Sequence, residues 1–260
     1  MADPLVPLPH SARGRKGPPI VLLHGFGGDQ LAWTGIAGPL SRLRRTITFD
    51  LPGHGKAVSW PEVGKVSVAT RALIASLEAM GIERATFVGH SMGGAVASLV
   101  GLKRPDLVEN LILLAPGGFG PEINGRLLRR YAAMTELGEI AVVMEQFFAP
   151  TSPIPPVLNG LVAEQRSDPA IQASFKAVVN EIAKDEGQGT LPLDALAAAP
   201  FPTTLLWGTE DTIVPVSQAI AAPAAIARHI IPACGHMVHM EATDLVMRVI
   251  GHATAGRHGD

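Results

Sequence analysis

The stretch Gly89-His90-Ser91-Met92-Gly93-Gly94 constrains this chain more than any other. An apolar run, Ala85 to Val88, precedes it, and a helical pattern rich in Ala, Val and Leu follows from Met92 to Lys103. Strand, sharp turn and helix are the context that a Gly-x-Ser-x-Gly nucleophile turn requires. The spacing of the glycines has a steric reason. In such a turn, side chains two positions before or after the serine run into the neighbouring strand and helix. Gly89 and Gly93 remove those side chains, and Gly94 lets the helix approach the sheet. Ser91 then stands at a helix N-terminus, where unpaired backbone N–H groups favour negative charge.

Composition sets the outer limits. A chain of 260 residues suits one large α/β domain carrying an insertion. Its 47% hydrophobic content supports a sizeable core, and a net charge of -2 gives no reason to expect nucleic acid or an anionic membrane as partner. No apolar stretch approaches the ~20 residues of a membrane span. Residues 1–19 are Pro-rich without the apolar segment of a secretory signal, so the expected location is the cytoplasm. The single Cys234 excludes an internal disulfide and a Cys-based zinc cluster. No metal or cofactor is expected. A monomer and a homodimer are equally compatible with the sequence.

Prolines at 4, 7, 9, 18 and 19 predict an extended N-terminal arm over residues 1–18. Pro19 to Leu23 reads as a strand buried on both faces and ends in His24-Gly25-Phe26-Gly27-Gly28. A Gly-rich loop at such a strand end is where open α/β sheets build ligand sites. A helix over 30–43 and a strand over 46–49 lead to Asp50-Leu51-Pro52-Gly53-His54-Gly55, where Asp50 and His54 are expected to hold the loop by local hydrogen bonds. A helix over 67–80 has Ser67 as its N-cap and Gly81 past its end. After the strand at 110–114 the alternation stops for some 80 residues. Helical patterns at 123–137, 140–148, 157–165 and 171–184 fill the interval. These patterns predict a helical cap over 117–199, inserted into a core made of 19–116 and 200–260. Strands at 203–207 and 228–231 and helices at 216–222 and 239–251 complete the core.

Ser91, Asp211 and His236 each follow a predicted strand, in the chain order nucleophile, acid, base. A serine hydroxyl is a weak nucleophile until a base takes its proton. An imidazole ordinarily titrates near neutrality, so a histidine at position 236 can return that proton to the leaving group. Asp211 fixes the imidazole tautomer. Glu210 and His239 are the adjacent alternatives. Asp211 is preferred for its Gly-x-x-Asp-x-x-x-Pro setting, and His236 because His239 falls inside the last helix. Cys234 reads as a buried, inert thiol. The backbone N–H groups of Phe26 and Met92 are the predicted oxyanion donors. Gly25, His90, Arg126, Arg129 and Tyr131 are candidate substrate contacts, although His90 is expected to point away from the nucleophile. Arg126, Arg129 and Arg130 share one helix face at i, i+3 and i+4. An ordinary solvated face is the plain expectation for them. A cleft-facing pair that grips a carboxylate or phosphate is the sharper one.

Through these motifs, from Pro19 to about Gly251, the chain resembles α/β-hydrolase-fold serine hydrolases. The stretch Ala115-Pro116-Gly117-Gly118-Phe119-Gly120-Pro121-Glu122-Ile123-Asn124 is similar to the hydrolase-type region of acetoin dehydrogenase acyltransferase subunits. The resemblance implies a mostly parallel central sheet flanked by helices. Only about 18 residues precede the first loop strand, where family members place two antiparallel strands, so a shortened sheet edge is expected. Neither a lipoyl-lysine module nor a His-x-x-x-Asp-Gly motif is found, which favours hydrolysis of a small acyl ester. A carbon–carbon bond hydrolase or an acyltransferase on the same triad is the alternative. A non-catalytic small-molecule binding protein on the same fold is the further one.

Overall fold

The computed structural model describes residues 7–184 and 187–255. Residues 1–6 of the expected arm, 185–186 of the expected insertion and 256–260 of the expected core lie outside the described residues. A seven-stranded sheet runs in the order β1-β3-β2-β4-β5-β6-β7. Its strands are β1 (His10–Arg13), β2 (Ile20–Leu23), β3 (Thr46–Phe49), β4 (Ala85–His90), β5 (Val108–Leu114), β6 (Thr203–Gly208) and β7 (Ala227–Ile231). All neighbours are parallel except β1, which pairs antiparallel with β3. Every residue of β2, β3 and β4 is buried, as expected of parallel strands covered on both faces.

Within the expected extended arm, residues 10–13 form the edge strand β1. Residues 10–13 contain no proline, so their N–H groups can enter a ladder that Pro7, Pro9 and Pro18 interrupt on either side. The sheet edge is shortened to this one antiparallel strand among the described residues.

The core helices are α1 (Thr34–Leu43), α2 (Val66–Ala79) and α3 (Met92–Lys103). Helix α2 begins after Lys65 without a side-chain cap, so Ser67 is not its N-cap, whereas Gly81 closes it at φ +65°. Among the described residues, five helices are inserted between β5 and β6: α4 (Gly125–Ala133), α5 (Leu137–Glu145), α6 (Leu158–Arg166), α7 (Pro169–Ile182) and α8 (Leu193–Ala197). Leu128, Ile140, Val143, Phe175 and Val179 form a second hydrophobic cluster there, separate from the one around the sheet. After β6 come α9 (Ser217–Ala221), α10 (Val238–Glu241) and α11 (Thr243–Thr254). The single helix expected over 239–251 is therefore two. The Thr243 hydroxyl bonds to the carbonyls of His239 and Met240, and Ala242 leaves helical geometry between them.

Candidate active site

Four loops meet at the C-terminal ends of β2, β4, β6 and β7, the edge of the sheet where open α/β folds bind ligands. Ser91 occupies the turn between β4 and α3 with φ 52° and ψ -117°. A positive φ on a non-glycine residue is strained and persists only where the surroundings over-determine it. Here the Ser91 N–H bonds to the Leu114 carbonyl at 3.0 Å, and its own carbonyl accepts from Gly94, Ala95 and Gly117. A Cβ on Gly89 would strike the Gly93 carbonyl, and one on Gly93 would strike the Leu23 and His24 carbonyls.

Asp211 and His236 form a buried pair. The Asp211 Oδ2 lies 2.8 Å from His236 Nδ1, with side-chain exposures of 0% and 3%. The other carboxylate oxygen accepts the N–H groups of Ile213 and Val214 at 2.8 and 3.0 Å. A carboxylate can only accept, so Nδ1 carries the ring proton and the Nε2 lone pair is left for another donor. The His236 N–H is tied to the Phe147 carbonyl at 2.9 Å. Ser91 and His236 both line a cavity of about 1240 Å³ that runs between the sheet and the helical insertion. Among the described residues no acceptor takes the N–H of Phe26 or Met92, and both residues line the same cavity.

A family model for the alpha/beta hydrolase family matches residues 20–249. The chain belongs to the alpha/beta hydrolase family. It is 33% identical over 234 residues to the dihydrolipoyllysine-residue acetyltransferase component of the acetoin cleaving system of Pseudomonas putida, a match covering 90% of this chain and 62% of that protein. The chain thus spans less than two thirds of that relative's length. It is 28% identical to a 2-hydroxy-6-oxo-6-phenylhexa-2,4-dienoate hydrolase of Burkholderia cepacia, over 90% of this chain and 86% of that one. A meta-cleavage product hydrolase from Pseudomonas fluorescens superposes with a TM-score of 0.83 at 22% identity, over 95% of this chain and 93% of that one, a likeness of fold.

The remaining candidate residues divide between the cavity and its outside. Gly25, His90 and Tyr131 line it. A Cβ on Gly25 would lie 2.8 Å from His90 Nδ1 and 3.1 Å from Ser91 Cβ, so only glycine lets this loop approach so closely. His90 turns toward His236, with its Nε2 2.9 Å from the His236 carbonyl. Arg126 and Arg129 correct the sharper reading. Arg126 is exposed, and the Arg129 guanidinium donates to the Ala183 carbonyl at 3.0 Å. Neither lines the cavity. Helix α4 instead buries Leu127, Leu128 and Tyr131, which puts its arginines on the opposite side. Arg130 pairs with Glu139 at 3.0 Å.

Buried imidazoles surround the site. Burial holds His54 and His90 well below the ordinary histidine pKa, with neighbouring histidines adding to the effect. Burial, then the proximity of His236, pushes His239 down to about 3. His239 lies between Trp33 and His90, with ring centroids 5.1 and 4.6 Å away. Asp50 accepts from the Gln30 backbone and side chain and from the Lys56 N–H, the loop-holding role expected of it. Burial raises the Cys234 thiol to about 12. Among the described residues no three His, Cys, Asp or Glu side chains gather as metal ligands, and no helix is long and apolar enough to cross a membrane.

Two residues escaped sequence reasoning. Glu241 accepts from the backbone N–H groups of Ala149, Gly235 and Met237, fastening the loop that carries His236 to the helical insertion. Its position five residues after His236 is the only trace of this in the sequence. Arg166 is 1% exposed, with its guanidinium over the rings of Tyr131 and Phe175 at 4.6 and 4.3 Å. An arginine in a helical pattern reads as solvated, and nothing in the sequence marks this one as buried.

Proposed function

We propose that this chain is a serine hydrolase of the carboxylesterase type, working through an acyl-enzyme on Ser91. The observation that carries the reading is the buried Asp211–His236 pair opening on the same cavity as the strained Ser91 turn. His236 Nε2 takes the Ser91 proton as Oγ attacks the ester carbonyl. The carbonyl oxygen becomes an anion held by the N–H groups of Phe26 and Met92, which lack competing acceptors. The tetrahedral intermediate collapses, the C–O bond to the alcohol breaks, and imidazolium returns its proton to that oxygen. Water, deprotonated by the same imidazole, attacks the acyl-enzyme; the bond from the acyl carbon to Ser91 Oγ breaks, the imidazolium returns the proton to Oγ, and the acid leaves. Asp211 supports the imidazolium in both halves. The helical insertion acts as the cap that shields these steps.

The test is a series of p-nitrophenyl esters combined with fluorophosphonate labelling. Labelling at Ser91, with turnover lost by on the order of a million-fold in Ser91→Ala and His236→Ala, supports the proposal. Asp211→Asn is expected to be severe but milder. A folded protein that neither labels nor turns over any ester would instead be a binding protein. The dienoate hydrolase relative favours carbon–carbon cleavage as the second reading. It predicts turnover of a meta-cleavage product at the same serine. Acyl transfer would show as trapping of the acyl group by an added thiol or alcohol in place of water.

A further inference from the structure

A small acyl group occupies little of a 1240 Å³ cavity, and the walls of this cavity are not uniform. Helix α6 lines one side with Leu158, Leu161, Val162 and Gln165, spaced i, i+3, i+4 and i+7. Those positions share one face of a helix. The C-terminal end of that face is fixed over the oxyanion loop, because Gln165 Nε2 donates to the Gly27 carbonyl at 3.3 Å. From there to Val157 the helix rises about 12 Å at ~1.5 Å per residue. Apart from Glu164, which is exposed and also lines the cavity, the side chains that α6 turns to the cavity beyond Gln165 are aliphatic, and three large aliphatic side chains at its margin are exposed. Leu31, Val157 and Leu161 line the cavity and are 67%, 68% and 55% exposed. Large aliphatic side chains left in water beside a cavity cost free energy that a hydrocarbon ligand would recover.

We infer that the site takes an ester carrying a linear hydrocarbon chain, laid along α6 from Gly27 to the rim, a path that fits about eight to ten carbons. The inference rests on the hydrolytic reading of Ser91 and adds the substrate class to it. The chain can belong to the acid or to the alcohol of the ester, since the same apolar wall suits either.

Two ester series separate these sources: p-nitrophenyl alkanoates from acetate to hexadecanoate, and alkyl acetates of the same lengths, each kept monomeric in solution. In one series kcat/KM is expected to climb about two- to fourfold per methylene up to about ten carbons and then level off. The upper figure corresponds to the ~0.8 kcal/mol of burying a methylene. The series that climbs identifies the side of the ester. Leu158→Trp, which narrows the path, and Leu161→Glu, which charges the rim, are each expected to lower the decanoyl-to-acetyl (or decyl-to-ethyl) ratio of kcat/KM at least tenfold. Leu161 is more than half exposed, so its variant tests the path even if Leu158→Trp does not fold. Flat series, an optimum at two to four carbons, or ratios unmoved by Leu161→Glu overturn the inference while leaving ester hydrolysis standing. Failure of Ser91 to label or to turn over acetate overturns the hydrolytic reading itself.

Discussion

Acidification below neutrality should destabilise this protein through its buried histidines, and His239 is the residue with which to measure it. Its ring is 4% exposed, packed between Trp33 and His90, and burial first, then His236, pushes its pKa down to about 3. In the unfolded chain it titrates near ~6.5. The unfolded state therefore binds a proton below about pH 6.5 that the folded state refuses until about pH 3. Stability from this residue is complete above the unfolded value and is lost as pH falls toward the folded one. At pH 5 the loss from His239 alone is about 2 kcal/mol, with a limiting slope of about 1.4 kcal/mol per pH unit. His54 and His90 are held low by the same burial and add in the same direction. Between about pH 6.5 and 5 ordinary carboxylates stay largely ionised, so this window isolates the histidines. The assay is urea unfolding followed by tryptophan fluorescence at several pH values, in the wild type and in His239→Phe. Phenylalanine keeps an aromatic ring in the stack and removes the proton site. The variant is expected to lose one proton's worth of pH slope, whatever its stability at pH 8. Parallel pH dependences in the two proteins would refute the reasoning.

Other consequences are simpler to test. Gly25→Val should cut kcat by roughly a hundred- to a thousand-fold, the cost of losing an oxyanion donor, because even its Cβ would press on His90 and Ser91. Phe26→Ala should keep most activity, since its predicted contribution is a backbone N–H; equal activity for Gly25→Val and wild type would make the loop a mere turn. Arg126→Ala and Arg129→Ala should leave the ratio of KM values for acidic and neutral esters of equal size unchanged, because neither residue lines the cavity. A selective rise for the acidic ester would place them back at the site. Cys234 should resist thiol reagents in the folded protein near neutral pH, being 2% exposed with its thiol raised to about 12, and should react fully once unfolded. Rapid modification of the native protein would contradict that burial.

The residues most legible in the sequence were those under steric or chemical compulsion. Gly89 and Gly93 could be read as space for backbone, and backbone atoms are what a Cβ there would strike. Asp211 was separable from Glu210 by its loop, and the structure buries the first while leaving the second exposed. What stayed hidden depends on which way an element turns. The spacing of Arg126, Arg129 and Arg130 fixes a shared face but not its direction, and Leu127, Leu128 and Tyr131 decide that by taking the interior. Arg166 is buried because Tyr131 and Phe175, distant in sequence, close on it from two sides. The break at Ala242 follows from a hydroxyl that bonds backward to two carbonyls, which no apolar periodicity encodes.

The fastening of the three catalytic candidates is unequal. Ser91 is held by the sheet through Leu114, with Gly117, just past the end of β5, donating to its carbonyl. The acid and base loops are held largely by the insertion: Ile213 belongs to its hydrophobic cluster, the His236 N–H bonds to Phe147, and Glu241 ties Gly235 to Ala149. Anyone grafting another relative's insertion onto this core would therefore be choosing the seating of Asp211 and His236 along with a pocket. The seam of a workable chimera runs through Phe147–Ala149, Ile213 and Glu241, and those positions must be inherited as one block. Recombination at β5 and β6 alone would leave Ser91 seated and Asp211 and His236 without a foundation.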